Sequence, residues 1–335
     1  MITRVTLAAE AGEGLHDDKP VDHPLHEPRG MRFNVTVVDP PGERFAHFMF
    51  DMARYVMHSI ESLGYDCTLE RNRCDPRAVN VIVGAHLLAA RSEADALLSS
   101  ARDYVVLETE HLAGGKLNDH DVGNRLTDVT FPLLRGARAV WECMQLNLPV
   151  LAKQGIEADL FQFGYHPKME EVSHKLNKDI DFLFYGSISP WRRTVLGNLE
   201  ALGYRVRVEF DAVSVFRNDL IARSEVILTL RHGHGQAMGH LPHARIVYAV
   251  TNRCLVVGEG GLEQESLEDV FVWTNNPAEL VNLCRATRGR GDRRALARSL
   301  HEKLRSRPMT SFMAPLIAHL EGGSREPAAR LLATG

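Results

Sequence analysis

Apolar residues fall in blocks of two periodicities along the chain. Phe33 to Val38 is an apolar, β-branched run that stops at Asp39-Pro40-Pro41-Gly42, which predicts a buried strand running into a loop. Phe45 to Leu63 places Phe48, Met52, Tyr55, Val56 and Ile60 on one helical face. Gly64 then ends the helix, and Tyr65 to Glu70 reads as a second strand. Val79 to Gly84 and Tyr104 to Leu107 predict further short strands around a helical stretch, Ser92 to Ala101. Ala137 to Leu151 predicts a helix burying Trp141 and Met144, and Gly155 to Pro167 a connection. From Asp179 the alternation restarts, with strands expected near 180–185, 204–209, 225–230, 254–257 and 270–273 and helices over Ala278 to Thr287 and Arg293 to Ser306. Strand-helix alternation of this period implies a parallel sheet covered by helices on both faces. Two such blocks joined by one crossover predict an α/β protein of two facing Rossmann-like domains.

The expected boundaries are an N-terminal extension over 1–30, a first Rossmann-like domain over 31–160 and a second over 161–305, followed by a closing helix and flexible tail over 306–335. Residues 1–30 are rich in Asp, Glu, His, Pro and Gly after a short apolar start and bury little surface. With 335 residues, the chain is long enough for two domains of ordinary size. A net charge of -4 argues against a nucleic-acid protein with a broad basic face. Basic residues gather locally at Arg192-Arg193 and between Arg285 and Arg298, as suits a small anionic ligand. No apolar run is long enough to span a bilayer and the N-terminus lacks a secretory apolar core. The five cysteines have no metal-ligand spacing, and an odd, low count fits a reducing cytoplasm, the expected location.

Chemistry concentrates in residues 180–232. Ile180 to Tyr185 forms a strand that ends in Gly186-Ser187 and feeds a helix opening with Arg192 and Arg193. A strand end, backbone N–H groups, a helix N-terminus and two cations at one sheet edge make an anion site, most simply for a diphosphate. The alternative is a solvated helix start. In the first block the strand ends carry Gly42 and Glu43, then Gly84 and His86, then Glu108, Glu110 and His111. Carboxylates and an imidazole at the end of a buried strand need a cleft, solvent or local partners.

The strand end "FYGS", the segment "RNDLIARSEVILTL", a His-rich loop, a helix containing Arg245 and the strand end "CLVVGEGG" resemble the C-terminal donor half of GT-B glycosyltransferases. The resemblance is to a bacterial glycosyltransferase-like group with an "RDxLIARSKIxLN" segment, and covers roughly residues 31–320. It implies a metal-independent glycosyltransferase, of the hexosyltransferase type, with a deep interdomain cleft and a nucleotide-diphosphate sugar as co-substrate, with no other cofactor and no metal. It also implies that Arg293 to Ser306 and Ser311 to Leu320 return toward the first domain. Arg245 falls where such enzymes hold the diphosphate, but the acidic residue they carry three positions earlier is Pro242 here. Glu259 is a candidate for ribose hydroxyls, because a carboxylate accepts two hydrogen bonds from a diol. His232 and His234 are candidates for phosphate or sugar recognition, with zinc binding as the rival. Tyr165 and His166 are expected near the cleft, beside Gly42, Glu43 and Glu108. A base facing the donor from across the cleft would be Glu110 or His86.

No Asp-x-Asp stands at an expected strand end, Asp119-His120-Asp121 being expected in a loop, and no Gly-x-Gly-x-x-Gly follows the first strand, which disfavours metal-dependent transfer and nicotinamide chemistry. The acceptor is left open between a small molecule, a glycan and a protein, with nucleic acid excluded and a homodimer allowed. Two other readings stand beside transfer: a sugar-nucleotide epimerase or hydrolase, and a non-catalytic binding protein that keeps the scaffold.

Overall fold

The computed structural model describes residues 30–322, apart from 44–45, 119, 211, 233–241 and 262–266. The expected extension, the tail, His234 and most of the His-rich loop lie outside the described residues. β1 (Arg32–Val37), α1 (Ala46–Ser62), β2 (Asp66–Arg71), β3 (Val79–Val83), α2 (Arg91–Leu98) and β4 (Tyr104–Glu108) open the chain. A small antiparallel ribbon follows, β5 (Leu112–Ala113), β6 (Lys116–Leu117) and β7 (His120–Asp121). Then come α3 (Phe131–Gly136), β8 (Ala139–Glu142), α4 (Leu148–Lys153) and β9 (Asp159–Leu160). The first sheet is parallel throughout, in the order β2-β1-β3-β4-β8-β9.

The second half runs β10 (Ile180–Tyr185), α5 (Pro190–Ala201), β11 (Val206–Glu209), α6 (Ser214–Arg223), β12 (Ser224–Thr229), α7 (His243–Thr251), β13 (Val256–Glu259) and β14 (Val272–Thr274). Its sheet is also parallel, in the order β11-β10-β12-β13-β14. The closing helices are α8 (Pro277–Gly289), α9 (Arg293–Arg305) and α10 (Met309–Leu320). α10 packs on α1, and Tyr65 donates to the Glu321 carboxylate at 2.7 Å.

β10 is buried at all six positions, as a central strand covered on both faces must be. Strand order reverses between β1 and β3 in one sheet and between β10 and β12 in the other, and a crevice opens outside the carboxyl ends at such points. One apolar cluster runs from Phe33 and Val81 through Phe161 and Phe163 to Phe182 and Val226, so the two sheets share packing through the crossover, and a second gathers Ile82, Val106, Leu133, Val140 and Leu151.

One expected element differs. Residues 137–151 do not form one helix: Ala139–Glu142 is a strand pairing with β4, Leu107 opposite Trp141, and only Leu148–Lys153 is α-helical. Trp141 is fully buried, as expected, but within a sheet. The ribbon β5 to β7 and the short β9 have no counterpart among the elements expected from the apolar pattern.

Candidate functional site

A cavity of about 280 Å³ opens where the carboxyl ends of the two sheets meet. One wall comes from Phe48, Asp51 and Met52 on α1, Thr109 and Glu110 after β4, and Cys143 and Met144 after β8. The other comes from Tyr185 at the end of β10, Ala212, Arg217 on α6, and Pro242 to Arg245 with Tyr248 at the start of α7. The α7 N-terminus therefore adds its partial positive charge to this space.

Of the two arginines among the described lining residues, Arg217 is paired with Asp51, and Arg245 has no carboxylate beside it among the described residues. Its Nη1 is buried without a hydrogen-bond partner among the described residues, and burial lowers its pKa from the ordinary guanidinium value. The guanidinium lies over the rings of Phe184 and Tyr185, 5.5 and 5.3 Å from their centroids. Gly186 makes the approach: its φ is +145°, and a Cβ there would come within 2.7 Å of Arg245 Nη2. The Tyr185 hydroxyl is likewise buried and unpartnered. A buried guanidinium without a counter-charge is costly unless an anion completes it.

Glu110 lies on the facing wall. Its Oε1 accepts from Thr109 Oγ1 at 2.8 Å and sits 3.6 Å from His86 Nδ1, and its Oε2 accepts from Asn118 Nδ2. His86 flanks Glu110 from behind and does not line the cavity. Glu108, expected at the cleft, is buried beneath it; its Oε1 accepts from the backbone N–H groups of Thr109 and Glu110 at 3.1 and 3.0 Å. Glu142 stands opposite Glu108 in the register of β4 and β8 and accepts from Met144 N and Asn147 Nδ2. Asn147 also donates to the Glu110 carbonyl at 2.7 Å, so three buried polar side chains fix the turn that carries Glu110.

Burial raises Glu108 to about 7; the backbone N–H of Glu110 opposes the shift, and the Glu110 charge adds to it. Burial and then Glu108 push Glu142 well above the carboxylate range. Each keeps one buried oxygen, Oε2, without a partner, so the pair holds a proton at neutral pH. A folded-state pKa above the unfolded value stabilises fully below about pH 4.5 and loses that stabilisation as pH rises through about 7. Glu142→Gln keeps the acceptor and removes the repulsion. We expect its melting temperature to gain on the parent protein between pH 5 and pH 8, by the equivalent of about 1–3 kcal/mol of stability. His166 titrates in the opposite sense, since burial and His58 hold it down to about 4, so only the difference between variant and parent isolates the carboxyl pair. Equal pH dependence of the two proteins would remove the proton assigned to this pair.

Several expected residues are placed elsewhere or engaged. Arg192 is buried, not poised for phosphate: Nη1 donates to Ser187 O and Oγ, Nη2 to Leu230 O, and Nε is shared between Leu230 O and Arg231 O. Burial and the neighbouring Arg245 push its pKa down to about 9, and it clamps the end of β10 to that of β12. Ser187 thus serves Arg192. Arg193 is exposed on α5. Glu259 is buried and accepts from Trp191 Nε1 at 3.0 Å and from Arg231 N at 2.8 Å, which engages the carboxylate meant for ribose. Tyr165 and His166 do not line the cavity. Tyr165 donates to Glu170 at 2.7 Å and His166 contacts Ser62 at 3.1 Å, both in the packing of the crossover. Gly42 and Glu43 lie in the turn after β1, outside the lining. The His232 ring meets that of His120 on the ribbon edge-on, with centroids 6.4 Å apart. Within the basic run between Arg285 and Arg298, Arg288 pairs with Asp181 at 2.8 Å, Arg290 with Asp292 at 2.7 Å and Arg293 with Glu225 at 3.6 Å.

Asp51, Arg217 and Tyr248 were not singled out from the sequence. Asp51 and Arg217 form an ion pair across the junction, and the guanidinium lies 3.9 Å from the centroid of Tyr248. Burial disfavours the Arg217 charge, yet Asp51 holds its pKa above the ordinary value. Arg54 pairs with Glu171 one turn along. A charged i, i+3 pair, Asp51 and Arg54, inside the otherwise apolar stretch Phe48 to Met57 of α1 was the available signal.

No family model and no curated protein matches the chain. Among solved structures it is similar to an alpha-glucosyltransferase in complex with UDP and a 13-mer DNA containing a HMU base, at 10% identity over 84% of this chain and 94% of that one, with a TM-score of 0.54. A second structure so described gives 0.52 at 10% identity over 82% and 94%. The same kind of enzyme with UDP alone gives 0.50 at 12% identity over 84% and 96%. At these identities the likeness shows the fold, a mixed α/β architecture with parallel sheets shared with GT-B glycosyltransferases.

Proposed function

We propose that this chain is a metal-independent GT-B glycosyltransferase whose two Rossmann-like domains close on a nucleotide-diphosphate sugar. The observation that carries the reading is Arg245, a buried guanidinium with an unpartnered nitrogen at the switch point of the second sheet and the N-terminus of α7. Negative charge grows on the diphosphate as the glycosidic bond breaks, and a guanidinium with a helix dipole stabilises it in place of a metal. Glu110, on the opposite wall, takes the proton of the acceptor hydroxyl, with His86 beside it. The parallel with the solved glycosyltransferases, which hold UDP, supports the same donor class here.

Thermal shift with UDP, GDP and dTDP, each with and without EDTA, tests the reading. At least one should stabilise the protein equally in both conditions, by about 2.7 kcal/mol at a hundredfold excess over its Kd. Indifference to all three would end the donor assignment, and stabilisation abolished by EDTA would end metal independence.

A further inference from the structure

The first-half wall of the cavity differs in chemistry from the wall that holds Arg245. Phe48 and Met52 stand one turn apart on α1 and both face the cavity, and Cys143 and Met144 continue the surface from the end of β8. Burial and then the nearby carboxylates, Glu142 first, push the Cys143 thiol well up, so it presents an apolar sulfhydryl, not a thiolate. The charged side chains of this wall are both acidic: Asp51, engaged by Arg217, and Glu110. No cation among the described lining residues belongs to the first half. With Asp51 engaged by Arg217, an anionic acceptor would still meet the Glu110 carboxylate there and no lining cation of the first half, whereas thioether and phenyl groups offer an adaptable apolar contact.

Resting on the donor reading above, we propose that the acceptor is a small, neutral, largely apolar molecule carrying a hydroxyl, seated on Phe48, Met52 and Met144 with that hydroxyl toward Glu110. In the step this implies, the Glu110 carboxylate takes the hydroxyl proton and the oxygen forms a bond to the anomeric carbon of the sugar. The bond from that carbon to the diphosphate oxygen breaks, and its electron pair leaves with the nucleoside diphosphate at Arg245.

Direct binding separates this proposal from the donor reading. 2-Naphthol, glucose 6-phosphate and a DNA duplex carrying a hydroxymethylated base are each titrated calorimetrically into the full chain, with UDP titrated independently. We expect 2-naphthol to bind, and Phe48→Ala and Met144→Ala each to weaken it roughly tenfold, since each truncation removes much of one apolar contact. The UDP affinity of both variants should stay near that of the parent, which shows that the site still folds, while the melting temperature falls, more for Met144→Ala because Met144 is buried in the apolar core. Binding of the sugar phosphate or the duplex in place of 2-naphthol overturns the proposal, as does 2-naphthol binding that both variants leave unchanged. Failure of UDP alone counts against the donor site and leaves the naphthol result standing by itself.

Discussion

Replacing Glu110 by glutamine is expected to lower turnover by about 10²–10⁴-fold, with donor affinity little changed. Glutamine preserves the size of the side chain and an oxygen that can accept from Thr109 or Asn118, so the turn held by Glu108 and Asn147 keeps its place. What is lost is the ability to take a proton from a hydroxyl arriving at the first-half wall. Steady-state kinetics with a confirmed acceptor, set beside calorimetry of the nucleotide, separates the two effects. Near-normal turnover would exclude Glu110 as the base and direct attention to His86, 3.6 Å away. Low turnover accompanied by a collapsed melting temperature would make the residue structural.

Arg245→Gln is expected to weaken nucleoside diphosphate binding by roughly ten- to a hundredfold, the value of a charge-assisted contact of about 1.5–3 kcal/mol. Its melting temperature should hold or rise, because the empty protein sheds a buried cation that no described residue neutralises. Arg192→Ala should behave in the opposite way. That guanidinium bridges Ser187 to Leu230 and Arg231, so its removal strands buried carbonyls and lowers stability first. If Arg245→Gln left affinity intact while destabilising the fold, the two arginines would exchange roles and the anion site would have to lie elsewhere.

The central strands of both parallel sheets were legible because a strand covered on two faces is a near-continuous apolar run, as at Val79–Val83 and Ile180–Tyr185, whereas β8 and β9 of the first sheet were not. Residues 137–151 depart from the expected helix for a related reason. Trp141 and Met144 sit at helical spacing, and only the distant pairing of Trp141 with Leu107 makes that stretch a strand. At the site, the strand-end position drew attention to Glu110, and the segments resembling a donor half drew it to Arg245; the structure puts both on the cavity. Whether a polar side chain is free is another matter, since it depends on groups far away in sequence. Arg192 meets carbonyls of Leu230 and Arg231, and Glu259 meets Trp191, so neither remains available as the local pattern suggested. The Asp51–Arg217 pair joins positions 166 residues apart; Arg217 opens the segment "RNDLIARSEVILTL", but nothing local pointed to Asp51 as its partner.

The central claim is that a nucleoside diphosphate sits at Arg245 between the two sheets. A crystal structure of the protein soaked with UDP, or with whichever diphosphate stabilises it, tests this most directly. We expect the diphosphate oxygens within hydrogen-bond distance of Arg245 and of the backbone at the α7 N-terminus, with Gly186 alongside and no metal bridging them. A nucleotide bound away from Arg245, or diphosphate oxygens held by a cation in its place, would contradict it.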